Sequence, residues 1–242
     1  MVLLPAAAAL AGVLIGLWSR VLVVRHSVPE GEPPRRGCSA RSGPPPFTVE
    51  AVTGLVLAVL AWRAVTPGLD PAWPGGLWDG GARAVAARAA GLLALCWLAG
   101  VCVVLAFVDA AVRRLPDRLT LAAYLGTGVL LTVSAAAGGR WDDLPRAGLG
   151  GLALAAFYLL LFLVNPAGMG LGDVKLAASL GTALGWLGWG VLVAGTFLGF
   201  LAGGVYGVAL LATRRAGRRS EIPFGPFMAF GAFAAVLAAP LL

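Results

Sequence analysis

The sequence predicts an all-α, polytopic membrane protein with about eight transmembrane helices. Three observations carry that expectation. Sixty per cent of the 242 residues are hydrophobic and only 12% are charged, against roughly a quarter in a soluble domain. The mean hydropathy is +0.90. Uncharged apolar runs recur at lengths that match the roughly 20 residues needed to cross a bilayer, and one of them, Leu176–Thr213, extends for 38 residues. A lipid bilayer is therefore the expected surround. The net charge of +7 is not read as a nucleic-acid signal, because the arginines fall in loops rather than along one helical face.

Taken in order, the spans are expected at about Leu3–Val24, Glu50–Val65, Ala84–Val108, Leu119–Ala137 and Leu144–Val164. Two more lie within Leu176–Thr213, with a turn in the Gly181–Gly190 region, and the last at about Ile222–Leu242. Met1–Leu17 lacks a basic leading segment, so the first run reads as a span rather than a cleaved signal. Arg63 interrupts the second span and is expected to snorkel. Ser27–Thr48, rich in Pro, Gly, Arg and Ser, reads as a loop rather than a folded domain, and the whole chain as one membrane-embedded domain. Tryptophans 18, 62, 97, 141, 186 and 189 suit anchoring at the membrane interfaces. Cys96 and Cys102 suit packing. With eight spans, thirteen basic residues fall on one side and five on the other. The richer side is expected to be cytoplasmic, with both termini outside.

Against this background two acids stand out. Asp109 closes the third span, and Asp173 lies in Gly170-Leu171-Gly172-Asp173-Val174-Lys175, just before the sixth. An acid inside a membrane segment costs about 2.5–3.5 kcal/mol on insertion scales, so such acids are usually functional. The charge count places both at the same face, although it did not use them. Two carboxyls that share one proton can activate water and protonate a leaving amine. Helix dipoles would favour ionised Asp173 at a helix start and protonated Asp109 at a helix end. Gly168, Gly170 and Gly172 after Pro166 would give a strand-like backbone able to hold an extended chain. Simpler roles compete. Asp173 could be a helix cap, and Asp117, after Pro116, an N-cap of the fourth span and a rival to Asp109. Glu50 could cap or make an inward polar contact. His26, the single histidine, is given no role.

Three blocks resemble one family. Gly170-Leu171-Gly172-Asp173-Val174-Lys175 is similar to the Gly-x-Gly-Asp-x-Lys signature of the prepilin peptidases, the type 4 leader peptidases. Phe107–Thr120, with Pro116 seven residues after Asp109 and then Asp117 and Leu119-Thr120, resembles that family's other acid segment. Ile222-Pro223-Phe224-Gly225-Pro226-Phe227 resembles a third block. The resemblance implies a membrane aspartic endopeptidase that cuts a short basic leader from type IV prepilins or pseudopilins. The cut falls at the cytoplasmic face of the bacterial inner membrane. It implies Asp109 and Asp173 as the catalytic pair, favouring Asp109 over Asp117. Gly170 and Gly172 would shape the substrate site, and Lys175 would position or tune Asp173.

One departure is visible. Many family members also N-methylate their product from S-adenosylmethionine, and carry two CxxC pairs for zinc in the first loop. Here the loop at about residues 25–47 contains only Cys38, so neither zinc nor S-adenosylmethionine is expected as a cofactor. The competing function is a proton- or ion-coupled transporter, where buried acids are also expected. Paired broken helices mark such folds, and only one broken entry, Pro166–Gly172, is present. An inactive assembly partner is the other alternative.

Overall fold

The computed structural model describes residues 3–26, 45, 47–66, 77–78, 80–112, 115–166, 169–213 and 223–239. Eight α-helices and no strand occur among them. They are α1 (Leu3–His26), α2 (Thr48–Val65), α3 (Ala82–Val112), α4 (Asp117–Gly138), α5 (Asp143–Val164), α6 (Leu171–Leu187), α7 (Trp189–Ala212) and α8 (Gly225–Ala238). Six are long and apolar enough to cross a membrane; α6 and α8 are shorter, at 17 and 14 residues. The protein is a multi-pass membrane protein, and the expected helices are all found. Most of the loop expected at Ser27–Thr48, with Cys38, and the arginines at 214–219 lie outside the described residues, as do Asp70, Asp79 and Gly168.

Sequential helices pair as hairpins: α1 with α2, α3 with α4, α5 with α6, α7 with α8. Small residues permit the close approaches, as is usual where lipid gives helices no hydrophobic drive to associate. A Cβ on Gly150 would lie 2.7 Å from Gly181 O, and one on Gly231 would lie 2.3 Å from Gly199 N. Either substitution would force α5 off α6 or α7 off α8. Between α6 and α7 the chain turns at one residue, Gly188, whose φ of 144° is open to glycine alone.

α6 is the central helix, touching α3, α4, α5, α7 and α8. Leu176, Ala177, Leu180, Ala183 and Leu184 are all buried against Leu98 and Leu105 of α3 and Met228 and Ala232 of α8. Burial on every side explains how so short a helix can hold its place in the bundle.

Two arginines brace one end of this assembly. The Arg146 guanidinium donates to Gly185 O (2.8 Å) and Trp186 O (2.6 Å), the last carbonyls of α6, and pairs with Asp143. Arg63 donates to Val236 O near the end of α8. Both satisfy orphan carbonyls at the negative end of a helix. Arg63 therefore does not snorkel. It is 3% exposed, because a helix end inside the bundle offers it better acceptors than the membrane surface does. Trp186 likewise departs from interface anchoring: it is buried, with Arg140 stacked 4.9 Å from its ring. Glu50 resolves as an inward contact, buried beside Arg20 of α1 at 3.5 Å. Replacing Arg146 by Ala is expected to lower stability in detergent by about 1.5–3 kcal/mol, the usual loss for hydrogen bonds from a charged donor. Chemical denaturation followed by tryptophan fluorescence would measure it.

Candidate active site

The opposite ends of α6 and α8 carry the acids' surroundings. Asp109 lies in the last turn of α3 and is 5% exposed. Its Oδ2 accepts the Gly225 N–H at 3.0 Å. Gly225 begins α8, so Asp109 meets the positive end of a helix and fills one of its free donors. Pro226, next in the chain, has its fixed φ and missing N–H at the position where both suit a helix start. A Cβ on Gly225 would lie 2.9 Å from Asp109 Oδ2. Glycine is what lets the carboxylate come this close.

Asp173 is the third residue of α6 and 6% exposed. Its Oδ2 accepts the Gly170 N–H at 3.1 Å, while its own N–H donates to Gly170 O at 3.1 Å. Asp173 Oδ1 is buried and has no hydrogen-bond partner among the described residues. The bundle thus places both carboxyls at the same end of the molecule, Asp109 against the start of α8 and Asp173 at the start of α6.

Three local expectations are corrected. The backbone around Asp173 is not strand-like beyond Gly170, which is extended (φ −88°, ψ 152°); α6 starts at Leu171, five residues before the expected span. Asp173 itself drives this, by reaching back to bond the residue before the helix. Gly172 is needed for packing: a Cβ there would lie 2.7 Å from Leu115 Cβ. Asp117 is not the N-cap of α4. Pro116 holds that position, and Asp117 is an exposed partner of Lys175 at 2.5 Å. Lys175, two residues after Asp173 and so about 200° round the helix, points its ammonium at Asp117 rather than at Asp173. Asp109 also meets a second dipole, at the start of α8, of opposite sign to that of its own helix end.

Gly225 is visible in the sequence only as part of a resembling block, and nothing in its type announces a donor to an acid 116 positions away. Tyr158 of α5 is fully enclosed, with its ring stacked on Phe200 (5.7 Å between centroids) and tilted on Phe224 (6.0 Å).

An apolar groove of about 430 Å³ runs along α2, α3 and α8, past Val56, Cys102, Ala106, Pro226, Phe230 and Ala234. Cys102 and Ala106 precede Asp109 by seven and three residues, which puts them on its side of α3. Among the described residues, no group of three or more His, Cys, Asp or Glu could hold a metal ion. The three cysteines of the sequence, Cys38, Cys96 and Cys102, form no CxxC pair.

The segment from 96 to 208 matches the model of the type IV leader peptidase family. The matched segment contains Asp109, Tyr158 and Asp173; Gly225 lies beyond it. The chain is also similar to the prepilin leader peptidase/N-methyltransferases of Aeromonas salmonicida (strain A449) and Aeromonas hydrophila. It is 33% identical to each over 203 residues, covering 84% of this chain and 61% of each relative. The protein of the same name from Pseudomonas aeruginosa is 32% identical over 201 residues, 83% of this chain and 60% of that relative. The chain thus spans about three fifths of the length of these relatives. No solved structure matches.

Proposed function

We propose that this chain is an aspartic endopeptidase that removes the leader from type IV prepilins or pseudopilins, with Asp109 and Asp173 as its catalytic pair. The observation that carries the reading is a pair of buried carboxyls at one end of the bundle, each accepting one backbone N–H. Like charges so placed cannot both ionise easily, so the pair holds one proton. Asp109, facing the start of α8, is suited to be the carboxylate. Asp173, with Oδ1 unpartnered, is suited to carry the proton. Asp109 takes a proton from water as the oxygen attacks the scissile carbonyl, and Asp173 protonates the carbonyl oxygen. Asp109 then passes its proton to the amine as the C–N bond breaks. Asp173 regains a proton from the collapsing diol, leaving a carboxylic acid and an amine.

The bilayer side follows the charge count: the acid end faces the cytoplasm and the arginine-braced end faces out. Neither zinc nor S-adenosylmethionine enters this reading. The groove beside Asp109 supports a substrate whose apolar helix continues from the cut bond into the membrane. Ala234 lines it nine residues along α8 from Gly225, or about 13 Å at 1.5 Å per residue. Ala234→Trp should raise KM for membrane-borne prepilin by about tenfold, an overpacking effect of ordinary size. Cleavage of a water-soluble leader peptide should be unchanged. Equal loss on both substrates would dissociate the groove from substrate binding.

The test of the function is incubation of the purified, detergent-solubilised chain with a prepilin from the same genome, read by product mass. Loss of the leader is expected. Intact prepilin after incubation with folded protein would overturn the reading. Adding S-adenosylmethionine to the same reaction shows whether the new N-terminus gains a methyl group.

A further inference from the structure

We infer that Tyr158 is a positioning residue for Asp173, its hydroxyl donating a hydrogen bond to the carboxyl of Asp173 when the site is engaged with substrate. The inference rests on the peptidase reading and goes beyond the acid pair.

Its first support is register. α5 and α6 run antiparallel in contact: Gly150 abuts Gly181 and Gly185, Gly151 abuts Ala178 and Thr182, and Leu154 abuts Gly181. Carried on for a further turn or two, the same register brings Tyr158 level with residues 171–177, the stretch that contains Asp173. Its second support is enclosure. Tyr158 is 2% exposed in the same core cluster as Leu176, Ala177 and Leu180 of α6. These lie three, four and seven residues after Asp173 and so share its helix face. Its third support is the unmet need at the acid. A buried oxygen without a partner is destabilising, and Asp173 Oδ1 is such an oxygen among the described residues. The charge of Asp173 already acts on the Tyr158 hydroxyl. Hydrogen bonds of this kind often tighten only in the substrate complex.

The ring also has a place to be held from. Phe200 of α7 and Phe224 pack on it, and are 5.0 Å apart themselves. Phe224 directly precedes Gly225, the donor to Asp109. One aromatic cluster therefore braces the surroundings of both acids. Among the helices round the ring, α8 has no titratable side chain, α7 has only Tyr206, and α6 has Asp173 and Lys175. Lys175 is engaged by Asp117, and Asp109 of α3 acts through Asp173.

The experiment compares wild type, Tyr158→Phe and Asp173→Asn for kcat, KM, the pH profile of kcat and thermal stability in detergent. Phenylalanine keeps the ring contacts and removes only the hydroxyl. Tyr158→Phe is expected to lower kcat about tenfold, the worth of one ordinary hydrogen bond, with KM within about twofold and melting unchanged. A donor to the carboxyl favours its ionised form, so its loss should hold the proton on Asp173 more tightly and move the alkaline limb of kcat to higher pH. An unchanged kcat and pH profile would overturn the inference and leave the peptidase reading intact. A lowered melting temperature with normal kcat would also overturn it, by making the hydroxyl merely structural. Failure of wild type itself to cleave would overturn both.

Discussion

Asp109→Asn and Asp173→Asn are each expected to abolish leader cleavage, with losses of at least the 10²–10⁴-fold that general acid–base catalysis contributes. The effect should be on chemistry and not on folding. Asparagine keeps the shape and one acceptor oxygen, so the bonds from Gly225 N–H and Gly170 N–H survive. What is lost is the ability to accept a proton from water or to give one to the carbonyl. On the proposed mechanism the two carboxyls work as one unit, so the double variant should be no worse than either single one. Asp117→Ala is the internal control. Asp117 is exposed and tied to Lys175, so its loss should leave most activity. Product mass from the same prepilin, with circular dichroism to verify folding, decides the matter. An active Asp109→Asn beside an inactive Asp117→Ala would reverse the assignment.

Much of this arrangement could be read from the chain, and the reasons are specific. Hydropathy marks helices because the bilayer forces each backbone to satisfy itself within its own segment. That is why α1 to α5 fall close to their expected positions. Asp109 and Asp173 stood out because carboxyls are rare in such segments. The misreadings share a cause. Hydropathy cannot see the side chain bonding back to Gly170 that starts α6 early. Nothing local to Arg63 reveals the end of α8 beside it. The partner that keeps Trp186 from the interface, Arg140, lies 46 positions away. Each depends on a contact distant in sequence or on one hydrogen bond, and neither leaves a periodic trace. Asp109 shows the cost most clearly. Its own helix gives one dipole, and the one that opposes it belongs to α8.

Gly225→Ala should therefore be the most damaging small change outside the acids, lowering kcat by about 10²-fold, the usual loss when a donor to a reacting group is removed. The added methyl would lie 2.9 Å from Asp109 Oδ2 and 3.4 Å from its Cγ. Either the carboxylate or the start of α8 must give, and each movement breaks the 3.0 Å bond from Gly225 N–H. Backbone conformation is not the obstacle, because φ at Gly225 lies outside the region reserved for glycine. The loss should thus appear in kcat while the protein still folds and inserts. Gly204→Ala gives the contrast. It lies on α7 with nothing within 4 Å of its added Cβ, and should leave kcat unchanged. Equal activity in the two variants would mean that α8 does not hold Asp109 during turnover. A large difference would mean that the site needs a residue beyond the matched 96–208 segment. The acid of α3 would then be set by the first residue of α8, and a chain ending at 208 would keep both aspartates yet lack the donor that orients one of them.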